Sequence, residues 1–191
     1  MQINIPNLLT WARIALIPVF VGVFYLPDDW ASWTQKNLFA TVFFVAAAVT
    51  DWFDGYLARK LGQTSAFGAF LDPVADKLMV AAALIMLVDL SRVHPLIAII
   101  IIGREVTISA LREWMARVGE ASSVAVAYIG KLKTTVQMVA IPMLLLHGTF
   151  SGVDFHLVGG VLIHVAAALT LWSMGYYLRR ALPRLLVKEQ G

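Results

Sequence analysis

The chain has 191 residues, of which 60% are hydrophobic and only 14% charged, with a mean hydropathy of +0.77. A soluble domain of this size cannot hide so much apolar surface, which predicts an all-α integral membrane protein. The absence of cysteine excludes disulfides and thiol chemistry, and a net charge of +3 with a pI near 9.3 fits an anionic membrane surface and no nucleic-acid partner.

At roughly 20 residues per span plus short loops, the length predicts six transmembrane helices in a single domain over residues 1–191. The first apolar segment runs from about Leu8 to Leu26. Asn7 and Thr10 sit at its start as candidate caps, and Pro18 is placed to kink it. Arg13 lies less than two turns in, from where it can snorkel to the near interface. Nothing basic precedes this run, so it does not read as a cleaved signal peptide. Trp30 and Trp33 follow it as interfacial anchors.

The second segment runs from about Asn37 to Ala58 and ends in Asp51, Asp54 and Arg59. Residues 60–70, with Gly62 and Gly68, read as a loop, and the third segment covers about Asp72 to Leu90, with Pro73 in its first turn. The fourth reaches from about His94 to Arg117, and the fifth from about Ala125 to Leu146. A sixth, free of charge, runs from about Phe155 to Leu178 and is followed by a tail with Arg179, Arg180, Arg184 and Lys188. The four histidines (His94, His147, His156 and His164) read as interfacial or structural.

Charge is costly in such a chain, so the stretch from Asp51 to Asp76 needs a reason. Asp51 and Asp54 are three apart and share a helix face, which Gly55 and Ala58 extend with small residues. Asp72 and Asp76, four apart, share a face of the next helix. Helices joined by a short loop run antiparallel, so the pairs can meet. Four converging carboxylates repel unless something positive lies between them. All-oxygen ligands suit hard cations such as Mg²⁺ or Mn²⁺, and four carboxylates can hold two ions about 3.5–4 Å apart. The plainer alternative is two solvated aspartate pairs at helix ends.

Thirteen of the fifteen basic residues fall on one side of a six-span topology, leaving Lys36 and Arg92 on the other. The positive-inside rule then places both termini and all four aspartates toward the cytoplasm. Arg104 and Glu105 fall at membrane depth, pointing about 100° apart as neighbours on a helix. A polar cavity open to the cytoplasm would relieve their cost. Lined by Arg104, Arg112, Lys131 and Lys133, it would draw an anion, phosphate above all. Snorkelling to the interface is the alternative for Arg112, Lys131 and Lys133, and a structural ion pair for Arg104.

The pattern Asp-x-x-Asp-Gly-x-x-Ala-Arg, eight residues, Gly-x-x-x-Asp-x-x-x-Asp resembles the signature of the CDP-alcohol phosphotransferases. Asp51, Asp54, Gly55, Ala58, Arg59, Gly68, Asp72 and Asp76 match every fixed position. Further stretches resemble the bacterial branch of that family that joins CDP-diacylglycerol to glycerol 3-phosphate. They are Ile5 to Thr10 with Arg13, Phe67 to Lys77, Arg104-Glu105 with Ser109 to Trp114, and Gly130-Lys131 with Lys133 to Thr135.

The resemblance implies an enzyme of the bacterial cytoplasmic membrane that forms a homodimer. It implies that Asp51, Asp54, Asp72 and Asp76 hold two metal ions, with Asp76 also the general base. Asp54, Gly55, Ala58, Arg59, Gly68 and Lys77 would bind CDP-diacylglycerol, and Arg104, Arg112, Lys131 and Lys133 the glycerol 3-phosphate. Asn7, Thr10 and Glu105 would orient these groups. Rival readings are a sister enzyme acting on inositol phosphate or serine, and a divalent-cation transporter. Against transport, the outer halves of the helices carry no matching carboxylates.

Overall fold

The computed structural model describes residues 5–61, 66–117, 128–150 and 152–188, with the backbone alone at some helical positions. Within them the chain forms α1 (Ile5–Phe24), α2 (Trp33–Leu61), α3 (Ala66–Asp89), α4 (Pro95–Arg117), α5 (Tyr128–Leu146) and α6 (Phe155–Lys188). A two-residue hairpin, β1 (Thr149–Phe150) with β2 (Val153–Asp154), joins α5 to α6.

Local chemistry sets the helix ends. Ser32 and Gln35 cap α2 reciprocally: the Ser32 amide donates to Gln35 Oε1 at 2.9 Å, and the Gln35 amide to Ser32 Oγ at 3.4 Å. At the end of α3, Ser91 takes a left-handed conformation (φ 56°). The amides of Ser91 and Arg92 then return to the carbonyls of Val88 and Leu87, closing the helix. Asp154 caps α6, accepting from the amides of His156 and Leu157 at 2.9 and 3.1 Å.

The core lies along the middle of the bundle, where Phe20, Phe44, Leu84, Leu87, Ile101, Ile141 and Leu144 are buried. The most extensive packing is α5 on α6, and α1 rests on both α2 and α3. Gly159 permits the α5–α6 approach: a β-carbon there would lie 2.9 Å from Leu144 Cγ and 3.2 Å from the Ala140 carbonyl. The outer surface stays apolar, with Trp30 78% and Trp172 71% exposed.

Two expectations change. First, α3 begins at Ala66, so Gly68 is helical and Pro73 lies inside the helix instead of in its first turn. A glycine costs a helix only about 1 kcal/mol, which the packing of α3 can offset. Residues 62–65, including Gly62, lie outside the described residues. Second, α6 carries the basic tail as far as Lys188, because arginine is a good helix former once the chain is already helical. Among the described residues one helix, Phe155–Tyr176, is by itself long and apolar enough to cross a membrane. The remaining helices carry the charges of the polar site within their apolar runs.

Candidate active site

The C-terminal half of α2 and the N-terminal half of α3 bring Asp51 beside Asp76, and α1 supplies what lies between them. Arg13 Nη1 donates to Asp51 Oδ1 at 3.1 Å and to Asp76 Oδ1 at 2.5 Å. The Arg13 side chain is 1% exposed, against 43% for Asp51 and 36% for Asp76. One turn earlier on the same face, the buried Thr10 hydroxyl donates to Asp72 Oδ1. Snorkelling is therefore the wrong account of Arg13. A buried guanidinium needs carboxylate partners, and the packing of α1 on α2 and α3 brings two within reach. The signal was present in the sequence: a single cation in an otherwise uncharged apolar helix, three residues from a hydroxyl.

Asp54, Gly55, Ala58 and Arg59 continue α2 beyond Asp51, and Asn7 lies in the first turn of α1. Their side chains lie outside the described residues, as does that of Lys131 on α5. Gly68 is buried in α3. Among the described residues no three carboxylate or imidazole groups form a ready metal cage. The donor set nonetheless suits a hard cation. One positive group already lies within hydrogen-bond distance of carboxylate oxygens from two helices. Asp54 stands one turn along from Asp51, and Asp72 one turn from Asp76.

The aspartates and the basic groups of α4 line one cavity of about 300 Å³. Asp51 on α2, Asp76 and Lys77 on α3, and Arg104, Glu105 and Arg112 on α4 all contribute to it. Ser109, Thr134 and Gln137 add polar groups. Two of the four expected acceptor-site cations, Arg104 and Arg112, thus face the same space as the carboxylates.

Lys133 stands differently. It is 1% exposed and donates to Glu105 Oε1. Arg104 Nη1 reaches that same oxygen at 3.4 Å, and its Nη2 reaches Ser173 Oγ on α6 at 3.3 Å. Adjacent side chains diverge at their β-carbons, but the long arm of Arg104 curls back far enough to meet Glu105. Glu105 is therefore the centre of a small ionic network that fixes one wall of the cavity.

The other end of the bundle carries separate polar contacts. Lys36 Nζ pairs with Asp28 Oδ1 at 2.7 Å and with the Leu26 carbonyl at 2.6 Å. Arg92 donates to the Leu144 and Leu145 carbonyls at 3.1 and 2.8 Å and to Asn37 Oδ1 at 2.9 Å. Asn37 and Asp51 are fourteen residues apart on α2, a separation of ~21 Å along the helix. The polar cavity and these contacts thus lie toward opposite ends of α2.

The chain is similar to known proteins over nearly its whole length. Residues 3–172 match the family described as CDP-alcohol phosphatidyltransferase. A CDP-diacylglycerol–glycerol-3-phosphate 3-phosphatidyltransferase of Escherichia coli (strain K12) is 52% identical over 190 residues, covering 97% of this chain and 99% of its own. The protein of that name from Shigella flexneri serotype 5b (strain 8401) gives the same identity and coverage. The one from Pectobacterium atrosepticum is 51% identical over 189 residues, covering 95% of this chain and 96% of its own. With its signature aspartates gathered at one end of the bundle and the family match spanning most of its length, the chain belongs to the CDP-alcohol phosphatidyltransferase family.

Proposed function

We propose that the chain transfers the phosphatidyl group of CDP-diacylglycerol to glycerol 3-phosphate, giving phosphatidylglycerophosphate and CMP. The observation that carries this reading is a cavity lined both by Asp51 and Asp76 and by Arg104 and Arg112. A diphosphate donor suits the aspartates when metal is bound, and a phosphorylated acceptor suits the arginines. An uncharged alcohol such as inositol would bring no negative charge for the two arginines to meet. Relatives at 51–52% identity that carry the name of this reaction support the same reading.

The acceptor hydroxyl oxygen bonds to the phosphorus of the phosphatidyl group. The bond from that phosphorus to the CMP oxygen breaks, and CMP leaves with the electron pair. Asp76 takes the hydroxyl proton. Arg104 and Arg112 hold the acceptor phosphate by paired hydrogen bonds, which bring its hydroxyl to the donor. Lys131 lies at the start of α5, from where its charge adds to theirs, and Lys133 contributes through Glu105. Lys77, Arg59 and the small residues Gly55, Ala58 and Gly68 accommodate the nucleotide. Asp51, Asp54, Asp72 and Asp76 would hold two divalent ions, Mg²⁺ or Mn²⁺. Once bound, these neutralise the diphosphate and stabilise charge on the leaving CMP.

In this reading the six helices form a single domain spanning the bacterial cytoplasmic membrane, with both termini and the cavity toward the cytoplasm. The basic residues at the cavity end and the apolar outer surface support that orientation. The donor's acyl chains stay in the bilayer while its headgroup enters from the side. A homodimer is the assembly expected of the family.

The test is CMP release from CDP-diacylglycerol by the purified protein in detergent with Mg²⁺. Tubes with glycerol 3-phosphate, inositol, inositol phosphate, serine or no acceptor are run side by side. Release with glycerol 3-phosphate alone is expected. Release with inositol or serine would overturn the assignment of the basic wall.

A further inference from the structure

We infer that Arg13 is a built-in counterion for the metal site, occupying the place of cationic charge between Asp51 and Asp76 until divalent ions arrive. The inference rests on the proposed two-metal reading of the aspartates. Three observations carry it. The Arg13 side chain is 1% exposed, so its charge has almost no water to stabilise it. Its Nη1 contacts one oxygen of each carboxylate, at 3.1 and 2.5 Å, and these are oxygens that would ligate a metal. Each carboxylate belongs to a different helix, so the guanidinium ties α2 to α3 through a residue of α1.

Two carboxylates this close repel strongly in a partly dehydrated site, and one fixed positive charge cancels most of that repulsion. The same charge opposes a second cation arriving at the same oxygens. Arg13 therefore lets the empty site fold in its working arrangement, and it weakens metal binding in doing so. It is a positioning residue, acting on the carboxylates and not on substrate.

The test uses the full-length protein in detergent, as wild type, Arg13→Met and Arg13→Lys. Thermal unfolding is followed in EDTA and in saturating Mn²⁺, and Mn²⁺ affinity is measured by titration with paramagnetic detection of the free ion. In EDTA, Arg13→Met is expected to melt well below wild type, and Mn²⁺ to recover most of the difference. Its Mn²⁺ affinity is expected to rise about tenfold, as removal of a nearby positive charge requires. Arg13→Lys keeps the charge without the fork, so its Mn²⁺ affinity should stay close to wild type.

An equal melting loss with and without Mn²⁺ would mean that Arg13 is merely structural. Weaker Mn²⁺ binding would mean that it supports the ligands of the loaded site. Either result overturns the inference. If Arg13→Met cannot be recovered folded, a Mn²⁺ affinity in Arg13→Lys raised about tenfold or more, with the charge still in place, overturns it as well. If wild type itself binds no Mn²⁺, the two-metal reading fails first, and the inference falls with it.

Discussion

The Thr10 hydroxyl on α1 donates a hydrogen bond to the Asp72 carboxylate on α3, across 62 residues of sequence. Thr10 is buried, so its hydroxyl points at Asp72 without competition from water. With Arg13 one turn along, α1 holds both helices that carry the aspartates.

A hydrogen bond to an ionised group is worth about 1.5–3 kcal/mol. Thr10→Val should therefore lower kcat/KM for CDP-diacylglycerol by roughly ten- to a hundredfold, while Thr10→Ser retains most activity. Asp72→Asn should abolish turnover even in saturating Mg²⁺, as steady-state assays of CMP release would show.

Glu105 compensates the buried charge of Lys133 and touches Arg104. Breaking such a pair from one side leaves an uncompensated buried charge, at a cost of about 3–5 kcal/mol. Glu105→Gln and Lys133→Met should each lower the melting temperature sharply, and the double variant should recover much of the loss. A double-mutant cycle by thermal unfolding measures the coupling. Simple additivity would show that the two groups do not act as a pair.

Arg112 faces the cavity from α4. If it binds the acceptor phosphate, Arg112→Ala should raise KM for glycerol 3-phosphate by about tenfold or more. KM for CDP-diacylglycerol should change much less. Equal effects on both substrates would remove Arg112 from the acceptor site.

Arg92 joins the carbonyl end of α5 to Asn37 on α2, far from the chemistry. Arg92→Met should cost a few kcal/mol of stability, at about 1–3 kcal/mol for each buried polar group left unpaired. Both KM values should stay as they were. Chemical denaturation together with steady-state kinetics separates these outcomes.

His147 follows α5 beside His156, with ring centroids 4.7 Å apart. Burial first, then the charges of Arg92 and His156, hold its pKa below the ordinary 6.5. The unfolded chain therefore binds more protons than the folded one as the pH falls through 6.5, and stability drops on that side. Melting temperatures between pH 7.5 and pH 5 should show the fall, and His147→Gln should flatten it.

The sequence by itself determined the family's signature stretch and the helical class. Fixed spacings of three and four put Asp51 with Asp54, and Asp72 with Asp76, on shared helix faces wherever the helices packed. It also marked Arg104 and Arg112 as one wall, because eight residues return to nearly the same face of a helix. The partners of those charges were decided only by the tertiary structure. Periodicity reports which side of its own helix a residue occupies and is silent on what another helix brings there. Arg13 read as a snorkelling cation until α1 was seen to pack on α2 and α3. Lys133 read as a wall of the anion cavity until the packing of α4 on α6, and of α6 on α5, brought its charge to Glu105. The start of α3 at Ala66 was hidden for a related reason. Gly68 and Pro73 weaken a helix locally, and only the packing of α3 against its neighbours outweighs them.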